Sequence, residues 1–459
     1  MRDYPHIAVA PPGPRAQAVI AQDQRYASTS YIKEYPLVMR RGRGAMVEDV
    51  DGNRYLDFMA GIAVASTGHA HPQVVAAIRE ACEQFLHICA TDFYYPVFAQ
   101  LCERLAKLAP GPGAKRVFLT NSGAEAVEGA IKLARSHTKR AHIIAFEGAF
   151  HGRTLGALSL SSSKLRQRRH FGPLLPGIVH LPYATPYRCP IARAQPECKA
   201  SCDCSAAFAG RLFAERLSPD EVAAVIVEPV LGEGGYIFPP RDFLQYWRDF
   251  CDEHGALLIF DEIQTAVGRT GRMFAAELFE VTPDVILLAK GLASGMPIGA
   301  IIAKESVMSW DRGSHGSTFG GNPVCCAAAL VTLDLVERSL AANAERMGAL
   351  LLDGFRRLQA THEVIGDVRG AALMIGLEFV KDRTSAEPYD ALPSRIENAA
   401  FQKGLLLLPC GRSAIRICPP LVIDEYDVQT GLRIFGEVLD ELVAVDLYGR
   451  PSTAPGARA

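Results

Sequence analysis

Five short apolar runs, at 117–120, 142–146, 222–227, 256–260 and 284–289, limit what this 459-residue chain can fold into. They are near-continuous rather than alternating, and helical patterns lie between them. A strand that faces water on one side alternates apolar with polar residues, whereas a strand covered on both faces does not. The runs therefore predict a buried, mostly parallel, doubly wound sheet with helices on both faces, an α/β architecture. In such sheets ligands gather at the carboxyl ends of the strands. Five polar groups fall at those ends: 121–124, 150–153, 228–233, 261–264 and Lys290.

Lys290 closes the last run and opens the glycine-rich stretch 291–300. A lysine at a strand end often only covers its stem and keeps its head in water. In a partly apolar site, however, it loses its proton more easily, and the free amine attacks carbonyl carbon to give a Schiff base. The helix that follows Asn121 begins Ser122-Gly123-Ala124, with Glu125 just inside. That is an ordinary serine cap, and it is also a row of free amides that accepts a phosphate, with glycine permitting close approach. Asp261 ends a buried strand, where a carboxylate stands opposite a pyridinium nitrogen and keeps it protonated. Phe150 supplies a ring face. An amine for an aldehyde, an acid for a ring nitrogen, amides for a phosphate and an aromatic face together describe pyridoxal 5'-phosphate.

On these residues the chain resembles the class III (omega) aminotransferases among the fold type I pyridoxal-phosphate enzymes. The matching stretches are 121–126, 150–154, Glu228-Pro229 with 232–235, 261–265, 289–291 with 297–300, and 317–323. The likeness runs from about residue 35 to about 445. It implies that Lys290 is the Schiff-base lysine and proton shuttle, and that Asp261 pairs with the pyridine nitrogen. It implies that Gln264 contacts the ring hydroxyl, that Ile263 packs under the ring, and that Ser122, Gly123 and Ala124 bind the phosphate. His151 and Glu228 belong to the same cofactor pocket. Thr318 is implied to reach the phosphate of a neighbouring subunit, which makes a homodimer with shared sites. Arg416 is implied to hold the α-carboxylate of glutamate or 2-oxoglutarate through two parallel hydrogen bonds. Glu233 is implied to mask that arginine when an ω-amine lacking an α-carboxylate is bound. Arg153 and Ile62 match positions near the distal carboxylate of 4-aminobutyrate. No metal is implied. The activity implied is amino transfer from a 4-aminobutyrate-like donor to 2-oxoglutarate. Ornithine or acetylornithine as donor, an amino-acid racemase on the same scaffold, and a non-catalytic relative are the rival readings.

The division expected is an extended arm over 1–35, part of a small domain over 36–85, a large cofactor-binding domain over 86–335, the rest of a small α+β domain over 336–448, and a mobile tail over 449–459. Helical spacing predicts helices across 72–109 and 324–361, and the strand-like run 405–408 predicts a single strand. A formal net charge of -2 argues against nucleic acid or a membrane surface as partner. No apolar run approaches the roughly 18 residues of a spanning helix, and the start lacks an apolar leader, so the expectation is a cytoplasmic protein. Among 12 cysteines, Cys82, Cys102, Cys251, Cys325 and Cys326 read as small core residues. Cys189, Cys198, Cys202 and Cys204 form a cluster open to three readings: a zinc knuckle, a disulfide pair or a plain loop. His69 and His71 read as hydrogen-bonding their own loop.

Overall fold

The computed structural model describes residues 4–189 and 204–448. Seven strands make the main sheet: β1 (Lys115–Thr120), β2 (His142–Phe146), β3 (Ile178–Leu181), β4 (Val222–Val227), β5 (Leu257–Asp261), β6 (Val285–Leu288) and β7 (Gly299–Lys304). Their order is β1-β7-β6-β5-β4-β2-β3. The block from β6 to β3 is parallel, and β7 runs antiparallel to both β6 and β1. Every residue of β4, β5 and β6 is buried. Successive residues serve opposite faces, as the pleat requires. Ile144, Val225, Leu258 and Ile286 join one core, while Ile143, Ala224, Leu257 and Val285 join the other. This two-sided burial is why the runs are continuous in sequence. Helix α1 (Gly123–Thr138) covers one face, packed on β6 and β7, and α2 (Arg241–His254) packs on β4 and β5.

Two smaller sheets flank this layer. Met39–Arg43, Met46–Asp49 and Arg54–Asp57 form an antiparallel sheet, completed by Leu405–Leu406 running parallel to Arg54–Asp57. The other sheet contains Ile365–Ala371, Met374–Asp382, Ala414–Ile417 and Leu408–Cys410, with Glu387–Pro388 beside Met374–Asp382. The N-terminal helix Pro14–Tyr26 is tied down where the amides of Arg15 and Ala16 donate to Asp51.

Several expectations need correction. The helical pattern over 72–109 breaks into Pro72–Gln84 and Pro96–Leu108. Between them Phe85, Leu86, Phe93 and Tyr94 keep a helix-like spacing but face outward, all more than half exposed. The pattern over 324–361 is helix Pro323–Leu335, a π-helical turn Val336–Leu340 and helix Ala341–Thr361. The run 405–408 divides at Leu407, whose amide donates to the Tyr35 hydroxyl instead of continuing a ladder. Cys82 is exposed and Cys102 half-buried, whereas Cys251, Cys325 and Cys326 are buried. Cys189 is buried and Cys204 opens the helix Cys204–Glu215, but Cys198 and Cys202 lie outside the described residues, as does the tail. His69 does not bond its own loop: its Nε2 meets Asp57 Oδ2 at 2.7 Å. Among the described residues no helix is long and apolar enough to cross a membrane.

One buried acid between the N-terminal segment and the helix Leu392–Gln402 makes stability depend on pH. Glu397 is 4% exposed and its Oε1 has no hydrogen-bond partner. Burial, aided by Glu34, pushes its carboxyl from 4.5 up to about 8, against the pull of the Tyr35 hydroxyl. The folded chain thus keeps a proton that the unfolded chain has released, and this contribution to stability fades as pH climbs from 4.5 through about 8. Replacing Glu397 with Gln removes the titration. The stability of Glu397→Gln relative to the unaltered chain, from urea unfolding, is expected to rise steadily between pH 5 and pH 8. A difference that stays flat across that range refutes the assignment.

Candidate active site

The tips of β5 and β6 are neighbours, since Asp261 pairs with Leu287 in register. Chain geometry therefore brings Asp261 and Lys290 to one place. A cavity of about 440 Å³ opens there. Its wall includes ten of the residues expected to bind the cofactor: Ser122, Gly123, Ala124, Phe150, His151, Glu228, Asp261, Ile263, Gln264 and Lys290. Arg153 also lines it. Asn121, from the group at 121–124, lines it too, as do Val64 and the turn 295–298, which the sequence assigned no such role. Glu233 and Arg416 sit outside that wall, Ile62 is 41% exposed, and Thr318 is exposed next to the exposed Phe319.

Lys290 leaves the strand with φ of +28°, a backbone conformation that costs energy for a residue with a Cβ. Its amine makes no hydrogen bond or ion pair among the described residues. Half-buried at the cavity, it is pulled below the usual lysine range by desolvation, against the attraction of Asp261 and Glu228. The result is an amine that gives up its proton readily, pointed at a cavity.

Asp261 is 3% exposed. Its Oδ2 meets His151 Nδ1 at 2.7 Å, and its Oδ1 accepts from the Ile263 amide at 3.1 Å. Burial lowers the affinity of His151 for its proton, but the contact with Asp261 outweighs this and the net shift is upward. The other ring nitrogen of His151, Nε2, is buried with no partner. Beneath them Glu228 accepts from the Phe150 amide at 2.8 Å and the Gly232 amide at 2.9 Å, fixing the loop that carries the aromatic ring. Burial pushes the Glu228 carboxyl up to about 7.

At the start of α1, Ser122 Oγ accepts from the Glu125 amide at 3.2 Å, so the ordinary cap is present. The amides of Gly123 and Ala124 have no partner among the described residues and face the cavity at the positive end of a 16-residue helix. A Cβ at Gly123 would come within 2.8 Å of Ile263 Cδ1, so glycine is what lets Ile263 lie against this turn. Gln264 Oε1 accepts from the Tyr236 hydroxyl at 2.7 Å. Its Nε2 lies where a Cβ at Gly232 would stand 2.3 Å away, so that glycine admits the amide. Arg153 stands over the Phe150 ring, 5.6 Å from its centroid. An unpartnered amine, a buried acid and free helix-start amides around one cavity fit pyridoxal phosphate at each end.

A second charged group adjoins this cavity. Arg416 sits in the strand Ala414–Ile417, 3% exposed, and its Nη2 donates to Glu233 Oε2 at 2.7 Å. Its Nε and Nη1 are buried with no partner. The other Glu233 oxygen, Oε1, meets Lys164 Nζ at 2.6 Å. Burial would raise the Glu233 carboxyl, but Arg416 and Lys164 overcome this and hold it below the usual range. Neither Lys164 nor Tyr236 emerges from the sequence. Lys164 belongs to no motif, and Tyr236 follows the 232–235 stretch with only its aromatic character as a signal.

Comparison with known proteins agrees with this geometry. The family model for aminotransferase class-III matches residues 27–439. The chain is 38% identical over 447 residues to the alanine/serine racemase of Pyrococcus horikoshii, covering 96% of this chain and 94% of that one. It is 39% identical over 410 residues to the 4-aminobutyrate aminotransferase of Mycobacterium leprae, covering 88% and 91%. A solved amine transaminase from an uncultivated Pseudomonas species, in its pyridoxal-phosphate-bound form, matches with a TM-score of 0.83 at 31% identity, over 91% of this chain and 98% of that one. The chain belongs to the class III aminotransferase family, and it is a pyridoxal-phosphate enzyme of fold type I.

Proposed function

We propose that this enzyme moves the amino group of an ω-amino acid of the 4-aminobutyrate type to 2-oxoglutarate, in two half-reactions at one site. One observation carries the reading: Glu233 closes Arg416 while two more nitrogens of that guanidinium stay buried and unpartnered among the described residues. A buried unpaired donor is costly, so such groups are kept for a ligand. An ω-amine presents no carboxylate next to its reacting carbon, and with Glu233 in place Arg416 is neutralised. 2-Oxoglutarate presents an α-carboxylate, for which Arg416 offers a planar fork once Glu233 turns away. An enzyme that only racemised α-amino acids would meet the same carboxylate in both directions and would have no use for a movable cover.

When bound, the cofactor supplies an aldehyde that condenses with amines and a ring that takes up the electron pair released at carbon. The residues of the chain divide the remaining work. Lys290, whose amine desolvation holds below the usual lysine range, would take a proton from the carbon bearing the amine and return it one position away. Asp261, steadied by His151, would keep a proton on the ring nitrogen. Gly123 and Ala124 present amides to the phosphate, with Ser122 fixing the turn. Phe150 and Ile263 would pack against the ring, and Gln264 would serve its hydroxyl. Arg153 and Ile62 meet the distal carboxylate of the donor. Thr318, exposed beside Phe319, completes the phosphate site of a second copy. The outward-facing Phe85, Leu86, Phe93, Tyr94 and Phe319 support that homodimer, since monomers rarely expose so many large apolar side chains together.

The competing reading is racemisation on the same scaffold, favoured by the likeness to the Pyrococcus horikoshii racemase. Holoenzyme given 4-aminobutyrate and no keto acid is expected to release one equivalent of the aldehyde product per subunit. D/L interconversion of a neutral amino acid without that stoichiometric release would overturn the proposal. Replacing Arg416 with Ala is expected to raise KM for 2-oxoglutarate and glutamate by about 30-fold or more, corresponding to about 2 kcal/mol from a buried charged contact. The same change should alter the reaction of an amine that carries no carboxylate far less, and an equal effect on both substrates would remove Arg416 from the carboxylate site.

A further inference from the structure

Glu233 has two cationic partners, and they differ in how freely they move. Each takes one oxygen: Arg416 Nη2 holds Oε2 at 2.7 Å, and Lys164 Nζ holds Oε1 at 2.6 Å. Arg416 is set in a strand between Ile415 and Ile417, its side chain is 4% exposed, and its Nη2 also donates to the Pro409 carbonyl at 3.3 Å. Lys164 is different. It lies in a loop, its side chain is 26% exposed, and four rotatable carbons carry its charge. Its backbone is nonetheless well placed, because the amides of Ser162 and Ser163 both donate to the Ala149 carbonyl, next to Phe150. The backbone of Glu233 is held as well, since its carbonyl accepts from the Gly411 amide at 2.7 Å. Uncovering Arg416 is therefore a rotation of the Glu233 side chain about a fixed backbone, and of its two partners only Lys164 is free to follow.

We propose that Lys164 is a positioning residue that retains Glu233 when it turns away from Arg416, and so sets how readily the site admits an α-carboxylate. This rests on the two-substrate reading above. Without Lys164, Glu233 leaving Arg416 becomes a carboxylate in a half-buried wall with no cation, which is costly. With Glu233 on Arg416, loss of Lys164 still leaves one ion pair. Neutralising Lys164 thus weakens the uncovered state more than the covered one, and the cover closes more firmly.

The test uses holoenzyme of the unaltered chain, Lys164→Met and Lys164→Arg, with melting curves to confirm folding. Single-turnover reactions with an ω-amine and with 2-oxoglutarate are compared, and glutarate binding is measured by calorimetry as a probe free of turnover. For Lys164→Met the expected result is a rise of up to about tenfold in KM for 2-oxoglutarate, the scale of one partly exposed charged contact. Its kcat and its reaction with the amine should stay within twofold, glutarate binding should weaken in parallel, and Lys164→Arg should restore both. Equal changes in the two half-reactions, no change in either, or tighter glutarate binding would overturn the inference. If the unaltered enzyme does not react with ω-amines at all, the functional reading fails, and glutarate binding alone decides on Lys164: weaker in Lys164→Met supports its role, and unchanged refutes it.

Discussion

A half-buried amine and a buried acid at the tips of two adjacent parallel strands are what the rest of the site is arranged around. Lys290 and Asp261 are brought together by register alone, since β5 and β6 pair side by side. Burial does opposite things to them. It holds the amine below the usual lysine range, and it makes the acid depend on a partner, which His151 provides at 2.7 Å. Had the two met directly as an ion pair, Lys290 would hold its proton and do no chemistry. Instead Asp261 is engaged by His151 and the Ile263 amide, and among the described residues the amine has no partner.

The loop 228–237 links this centre to the second charged group. Glu228 fixes its beginning by accepting two amides, the Leu231 and Ile237 backbones bond to each other, and Tyr236 donates to Gln264. Arg369 clamps the far side through the carbonyls of Gly235 and Tyr236. Glu233 stands at the turn of this rigid frame with its side chain toward Arg416. On the proposed reading, a fixed frame with one movable carboxylate would let the site treat two kinds of substrate differently, because the change needed is one rotamer rather than a loop rearrangement. Electrostatics also keeps the two groups separate: Arg416 is neutralised by Glu233, so its charge does not add fully to the field at Lys290.

What could be read from the sequence follows from what is local. The parallel sheet was legible because burial on both faces leaves an unbroken apolar signature at 222–227, 257–260 and 285–288. Lys290, Asp261 and the start of α1 were legible because strand ends in such sheets are where ligands gather. The roles of Arg416 and Glu233 came only through the family likeness, since an arginine between two isoleucines says nothing by itself about a carboxylate. The break at 85–95 was hidden because its apolar residues keep helical spacing while turning outward, a choice made by the surface they present. The division at Leu407 is decided by the hydroxyl of Tyr35, far away in the chain. Lys164 gave no signal at all, because its meaning lies in a contact between two loops.

The central claim is that Lys290, and no other lysine, carries the reactive amine beside Asp261. Borohydride reduction of the yellow holoenzyme, followed by proteolysis and mass mapping, tests it most directly. One reduced phosphopyridoxyl group per chain, on Lys290, is the expected result. A group fixed on a different lysine, or none at all in protein that has bound the cofactor, would contradict it.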